Sequence, residues 1–234
     1  MIRLNTQPVE KQVFRDDGAL EVVEVWRTIQ GEGPLAGTSA IFVRLAGCNL
    51  QCPACDTDYT SYRKVSSVVE IAAEISLADI EDGQIDLVVL TGGEPFRQNI
   101  RPLVEELIED DYRVQIETNG TLFGKLYWSS GRIEVVCSPK TAKLSAELEP
   151  NIDAYKYILE AGQVDPDDGL PLSVLGLQTR PARPRPGFAG DVFVQPQDDQ
   201  DPAKNKANID AAVASCMKYG YRLSLQTHKI LGLP

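Results

Sequence analysis

The sequence predicts an α/β protein, a partial (β/α)6 barrel with N-terminal and C-terminal extensions. Short runs rich in Val and Ile recur along the chain, and helical patterns lie between many of them. At 234 residues and 43% hydrophobic content the chain is long enough to bury a full core. Strands alternating with helices from residue 40 to about 218 imply parallel βα units with right-handed crossovers. In such an arrangement the loops after the strands' C-terminal ends form the site.

The strand-like runs fall at 20–26, 40–46, 85–90, 113–117, 133–137, 154–159, 191–195 and 221–226. Ser67 with Glu70 makes a capping box before Val68, Ile71, Ala72 and Ile75, so a helix starts there. Ile100, Leu103, Val104, Leu107 and Ile108 repeat at helical spacing, with Pro102 tolerated in the first turn. Asp201-Pro202 reads as an N-cap followed by a first-turn proline, and Ile209, Val213, Cys216 and Met217 as that helix's apolar face. Residues 162–190 lack periodicity and carry a Pro-rich connector, the mark of an irregular insertion. The expected organisation is one domain: a core of about 38–218, an N-terminal loop at 26–34 and a C-terminal tail at 221–234.

Acidic residues outnumber basic ones by 34 to 23, a formal charge of −11 that speaks against a broad grip on nucleic acid or anionic membrane. No apolar run approaches the ~18 residues of a membrane span, and Met1 to Asp17 does not resemble a secretory signal. A cytoplasmic location is expected. Five cysteines in such a chain do not suggest disulfides. Cys137 and Cys216 sit in apolar patterns as small core residues, whereas Cys48, Cys52 and Cys55 crowd into one loop directly after the strand Ile41 to Leu45.

Closely spaced thiolates hold either zinc or an iron–sulfur cluster. A closed zinc site needs a fourth ligand, and the single histidine, His228, lies near the far end of the chain. A 4Fe-4S cluster on three cysteines leaves one iron free to chelate S-adenosylmethionine. The C-x3-C-x2-C loop after the first barrel strand resembles that of the radical S-adenosylmethionine enzymes. Where that superfamily usually has an aromatic residue before the third cysteine, this chain has Ala54.

Further polar loops close the following strands. Thr91-Gly92-Gly93-Glu94-Pro95 ends the strand at 85–90, with glycines that let the backbone approach a ligand and a Glu94 able to accept from an ammonium. Glu117-Thr118-Asn119-Gly120, Ser138-Pro139-Lys140 and Gln195-Pro196-Gln197-Asp198 end the next ones, each readable as turn chemistry or as part of a barrel mouth. Before the barrel lies the glycine-punctuated loop Trp26 to Pro34, and Arg44 interrupts an apolar strand, where a buried guanidinium calls for an anionic partner.

Taken together, Thr28-Ile29-Gln30-Gly31-Glu32-Gly33, Arg44 to Leu50, Cys55-Asp56-Thr57, Thr91 to Pro95, Glu117 to Gly120, Ser138 to Lys140 and Gln226 to Pro234 resemble the 7-carboxy-7-deazaguanine synthase family. The likeness is weakest over 1–19 and 162–190. It implies the radical SAM type of barrel, and a lyase that rearranges 6-carboxy-5,6,7,8-tetrahydropterin to 7-carboxy-7-deazaguanine with release of ammonia, toward queuosine and other 7-deazapurines. It further implies a 4Fe-4S cluster on Cys48, Cys52 and Cys55, and S-adenosylmethionine at Gly93, Glu94, Ser138, Pro139, Lys140, Gln195, Pro196, Gln197 and Asp198. Mg²⁺ would sit on Thr57, and substrate on Ile29, Gln30, Gly31, Arg44, Thr91 and the carboxylate of Pro234. A flavodoxin- or ferredoxin-type reductant and a homodimer are implied as well. Another radical enzyme, such as a glycyl-radical activase, would share the cysteine loop and the Gly-Gly-Glu turn but not Arg44 or the tail; a non-enzymatic iron–sulfur or zinc module would not bind S-adenosylmethionine.

Overall fold

The computed structural model describes residues 4–79 and 85–234, so the first three residues of the Met1 to Asp17 stretch lie outside it. Its frame is a nine-stranded sheet in the order β3-β1-β2-β4-β5-β6-β7-β8-β9. The strands are β1 (Leu20–Ile29), β2 (Ser39–Leu45), β3 (Lys64–Ser66), β4 (Leu87–Gly92), β5 (Arg113–Thr118), β6 (Ile133–Cys137), β7 (Ala154–Leu159), β8 (Asp191–Pro196) and β9 (Arg222–Leu223). β1 runs antiparallel to β2 and β3, and every pairing from β2 onward is parallel. The helices are α1 (Val68–Asp79), α2 (Arg101–Glu109), α3 (Pro202–Tyr219) and the short α4 (Thr227–Leu231).

Parallel strands are apolar on both faces because both faces are covered. In β4, Val88 and Leu90 join the main core with Ile71 and Ile75 of α1 and Leu103, Val104 and Leu107 of α2. The alternate residues Leu87 and Val89 pack inward with Ala40, Leu35 and Phe42. Each fully buried α2 side chain contributes about 1.5–3 kcal/mol, so Leu103→Ala, which also leaves a cavity, should cost about 2–5 kcal/mol. The capping box forms reciprocally at α1: Ser67 N–H donates to Glu70 Oε2 (2.7 Å) and Glu70 N–H to Ser67 Oγ (3.3 Å). Asp201 accepts from the N–H groups of Ala203 and Lys204 at the start of α3, which Gly220 ends at a φ of 78°.

Several expectations change. Three of the crossovers are not helical: β5–β6 and β6–β7 carry only single 3-10 turns, at Trp128–Ser130 and Glu149–Asn151, and β7–β8 is the irregular insertion. Gly120, Gly124 and Gly131 punctuate the first of these connections and Pro139 and Pro150 the second. β1 extends to Ile29, because Trp26 to Ile29 pair with Phe42 to Ser39, so only the rest of the 26–34 loop is loop. The last strand is just Arg222–Leu223, and His228 and Lys229 lie in α4. The buried side of α3 is Asn208, Ala212 and Ser215, whereas Met217 is 83% exposed and Ile209 38%. Asn208 turns that face inward by donating to Gln197 O (2.8 Å) and Asp199 Oδ2 (3.0 Å) and accepting from Ala161 N–H (2.8 Å).

Candidate active site

The C-terminal ends of β2 and β4–β8, with the end of β1 and the tail, surround one cavity of about 350 Å³. Cys48, Cys52 and Cys55 all line it, Cys48 and Cys52 being buried and Cys55 partly so. The loop is shaped from both sides. Gly47 N–H donates to Tyr59 O (2.9 Å), and the Leu50 N–H points at Cys48 Sγ (3.4 Å), a contact of the kind that tunes cluster sulfur. From outside, an N-terminal strap crosses the loop: Asn5 N–H donates to Pro53 O (2.8 Å) and Glu10 N–H to Cys48 O (2.7 Å). Gln7 donates from Nε2 to Thr57 O (2.8 Å) and accepts from Tyr59 N–H (2.7 Å). Burial pushes the Cys48 thiol up to about 12, with the carboxyl of Glu94 adding to the effect.

Among the described residues, no three His, Cys, Asp or Glu side chains are gathered to hold a single metal ion. The donor set is instead three sulfurs on one wall of a larger cavity, which suits a cluster with a vertex facing the cavity. Two buried polar atoms of cavity-lining residues also lack partners among the described residues: Trp26 Nε1, a donor, and Gln197 Oε1, an acceptor. Orphans of this kind fit bound groups that complete them.

Of the residues expected to bind cofactor, Gly93, Ser138, Lys140, Gln195, Pro196, Gln197 and Asp198 line the cavity, as do Thr57, Ile29, Gln30, Arg44, Thr91 and Pro234. Glu94, Pro139 and Gly31 do not. Glu94 is fully buried and accepts from Phe96 N–H (3.1 Å), Thr118 Oγ1 (2.8 Å) and Asn119 N–H (2.8 Å), so it staples the β4 and β5 turns rather than meeting a ligand's ammonium. Burial pushes its carboxyl up to about 7 despite these donors. The glycines before it serve a close approach between backbones: a Cβ on Gly92, at φ 118°, would lie 2.2 Å from Leu45 O, and one on Gly93 2.0 Å from Gly47 O. Gly31 leaves room for the tail, because a Cβ there would meet His228 Nδ1 at 2.0 Å.

Arg44 is not the unpartnered buried cation that the apolar run suggests. Its side chain is 24% exposed, Nε donates to Glu24 Oε1 (3.0 Å), and the guanidinium sits 4.8 Å from the centroid of the Trp26 ring. The antiparallel register of β1 and β2 sets Glu24 opposite Arg44.

A buried charge pair inside the site has no counterpart among the sequence expectations. Lys156, in the middle of β7, pairs with Glu32 and lies 3.8 Å from Glu117. Burial opposes the ionisation of Glu32, yet the Lys156 charge, with hydrogen bonds from Lys156 and Gln226, holds it down at about 2. Burial likewise opposes the charge on Lys156, and Glu32 and Glu117 outweigh it and push its pKa up. Glu117 in turn accepts from Thr91 Oγ1 (2.8 Å) and Gln30 Nε2 (3.3 Å). The signal was a lysine inside an apolar strand, the same kind of irregularity that drew attention to Arg44. Lys140 donates to Ser138 O (2.9 Å), and its burial lowers its pKa.

The tail completes the wall. Thr227 N–H donates to Gly31 O (3.1 Å), Gln226 to Glu32 (2.8 Å), and Lys229 to Asp56 (3.2 Å) and Asp198 (3.0 Å). Pro234 O accepts from Thr28 Oγ1 (3.0 Å). The last residue thus reaches the cavity beside the end of β1.

Comparison with known proteins gives a consistent assignment. The model of the radical SAM superfamily matches residues 43–161. A 7-carboxy-7-deazaguanine synthase of Rhodospirillum rubrum is 48% identical over 225 residues, covering 92% of this chain and 93% of that protein. One from Rickettsia prowazekii is 38% identical over 232 residues, covering 96% and 93%. The crystal structure of QueE from Escherichia coli shares the fold, with a TM-score of 0.65 at 21% identity over 88% of this chain and 93% of that one. With three thiols, the polar strand ends and the returning tail around one cavity, the chain belongs to the 7-carboxy-7-deazaguanine synthase family of the radical SAM superfamily.

Proposed function

We propose that this enzyme converts 6-carboxy-5,6,7,8-tetrahydropterin to 7-carboxy-7-deazaguanine with loss of ammonia, a step toward queuosine and related 7-deazapurines. The observation that carries the reading is that one cavity gathers the three thiols together with the polar cluster of Gln30, Thr91, Glu117 and Lys156 and the returning Pro234. Cys48, Cys52 and Cys55 would hold the 4Fe-4S cluster; with S-adenosylmethionine it supplies one-electron cleavage of a carbon–sulfur bond and abstraction of a hydrogen atom.

The chain's own residues bind, orient and shield. Gly93, Ser138, Lys140 and Gln195 to Asp198 form the cofactor wall, where Lys140 and the Ser138 hydroxyl suit a carboxylate and the unpaired Gln197 Oε1 suits a donor. Arg44 receives the pterin carboxylate, oriented through Nε by Glu24 so that its remaining N–H donors serve substrate. Glu117, which lies beside Lys156 and accepts from Thr91 and Gln30, and the Pro234 carboxyl group accept from the ring N–H and amino donors. Mg²⁺ would be held by the Thr57 hydroxyl together with water and the substrate carboxylate. The hydroxyl of the partly exposed Thr57 lies 3.5 Å from Asp56 Oδ1, two oxygen donors compatible with a hydrated ion. A homodimer, a flavodoxin- or ferredoxin-type electron donor and a reducing cytoplasmic setting complete the reading, supported by family membership. No helix among the described residues is long and apolar enough to cross a membrane.

The test is anaerobic incubation of the reconstituted enzyme with the carboxylated pterin, dithionite and S-adenosylmethionine. Formation of the carboxylated deazapurine, lost on removing the last two residues, is expected. Product formation unaffected by the truncation would detach the tail from substrate binding, and no product at all would overturn the assignment.

A further inference from the structure

The irregular segment between β7 and β8 does something that neither its composition nor the strand-end loops account for. At Val174–Leu177 it reverses direction, with Leu177 N–H donating to Val174 O (2.9 Å). The two central residues, Leu175 and Gly176, have φ of +50° and +78°. Positive φ at both positions is the signature of a type I′ turn, which favours Gly, Asn or Asp. A leucine there is strained, and such strain persists only where the surroundings impose it.

The surroundings are the cysteine loop. Leu175 O accepts from Ala54 N–H (3.0 Å), between Cys52 and Cys55. Gly176 stacks over Pro53 so closely that a Cβ on it would come within 3.1 Å of the proline ring. Val174 anchors the turn in the interior at 3% exposure. Leu175 lines the cavity, as do Ala54 and, at the β8 end, Pro196 and Gln197. A leucine held against the cysteine loop and a residue with an unpaired buried carbonyl, Gln197 Oε1, therefore line the same cavity as the thiols. That combination fits a flat heteroaromatic base with an exocyclic N–H donor.

We propose that Leu175 is a specificity-determining residue that packs on the adenine of S-adenosylmethionine, reaching the cavity from the β7–β8 insertion and using the contact with Ala54 to hold its strained turn. This rests on the assignment of the cavity to that cofactor. A leucine stands here against the turn's preference because its side chain serves binding.

Leu175→Asn separates the two roles, since asparagine suits the turn and removes the apolar face. On the anaerobically reconstituted holoenzyme, we expect unchanged iron and sulfide content and a thermal midpoint equal to or above that of the wild type. Affinity for S-adenosylmethionine and for 5′-deoxyadenosine, read by calorimetry, should fall roughly five- to tenfold. L-Methionine, which lacks the base, should perturb the reduced cluster's EPR spectrum as it does in the wild type, and Leu175→Met should restore most of the nucleoside affinity. Unaltered affinity in Leu175→Asn overturns the inference. So does parallel loss of cluster content or of the methionine response, which would make Leu175 a support for the loop alone. A wild-type holoenzyme that binds neither S-adenosylmethionine nor methionine overturns the cavity assignment itself.

Discussion

Replacing Lys156 by methionine tests how the buried Lys156–Glu32 pair in the cavity lining is held. The substitution keeps the stem of the side chain and deletes the charge, leaving Glu32 buried with its hydrogen bond from Gln226. In the intact protein Glu32 is held at about 2 against an ordinary 4.5. A buried pair that loses one partner leaves an uncompensated charge, at a cost of roughly 3–5 kcal/mol. For a chain of this size that is a fall in Tm of about 6–20 °C. The sign with pH follows from a carboxyl whose folded pKa is depressed. The pair's contribution is fully present above about 4.5 and is lost as the pH falls from there through about 2. In Lys156→Met, burial instead raises Glu32, so the deficit against wild type should shrink on acidification. Urea unfolding at pH 7 and pH 4.5, for Lys156→Met, Glu32→Gln and the double variant, measures this. The double variant should recover most of the loss. Additive effects, or a single-variant loss under about 1 kcal/mol, would refute the reasoning.

Gly31→Ala drives a Cβ into His228 and should displace the tail; the KM for the pterin should rise at least tenfold while S-adenosylmethionine binding, measured by calorimetry, holds. Gln7→Ala removes the side chain that bridges Thr57 O and Tyr59 N–H, and should cost about 1–3 kcal/mol and lower iron retention under mild chelation. Glu94→Ala strands three buried donors, so a loss of about 3 kcal/mol or more is expected by denaturant titration. Any one of Cys48→Ser, Cys52→Ser or Cys55→Ser should abolish cleavage of S-adenosylmethionine, followed as release of 5′-deoxyadenosine.

What the sequence made legible is local. The Val and Ile runs mark the parallel strands because both faces of those strands are buried, and the caps at Ser67 and Asp201 are read within a single turn. The clustering of Cys48, Cys52 and Cys55 needs no tertiary knowledge. What escaped depends on partners distant in the chain. Glu94 looks like a ligand residue until Thr118 and Asn119 arrive to saturate it. The inward face of α3 follows Asn208 and not the more apolar Ile209 and Met217, because Gln197 and Asp199 supply hydrogen bonds that periodicity cannot see. The strap at Asn5–Glu10, with no pattern of its own, acquires a role only from the cysteine loop beneath it. The helical turn Thr227–Leu231 lies just past the strand-like run at 221–226 and has no side-chain cap to announce it in the sequence.

The central claim is that three thiols present a cluster whose remaining vertex is open to a sulfonium cofactor. EPR of the anaerobically reconstituted, reduced protein, recorded before and after adding S-adenosylmethionine, addresses it most directly. Equal iron and sulfide, a 4Fe-4S signal and a clear change in that signal on addition are the outcome this account predicts. A metal centre ligated entirely by protein, with a spectrum indifferent to the cofactor, would contradict it.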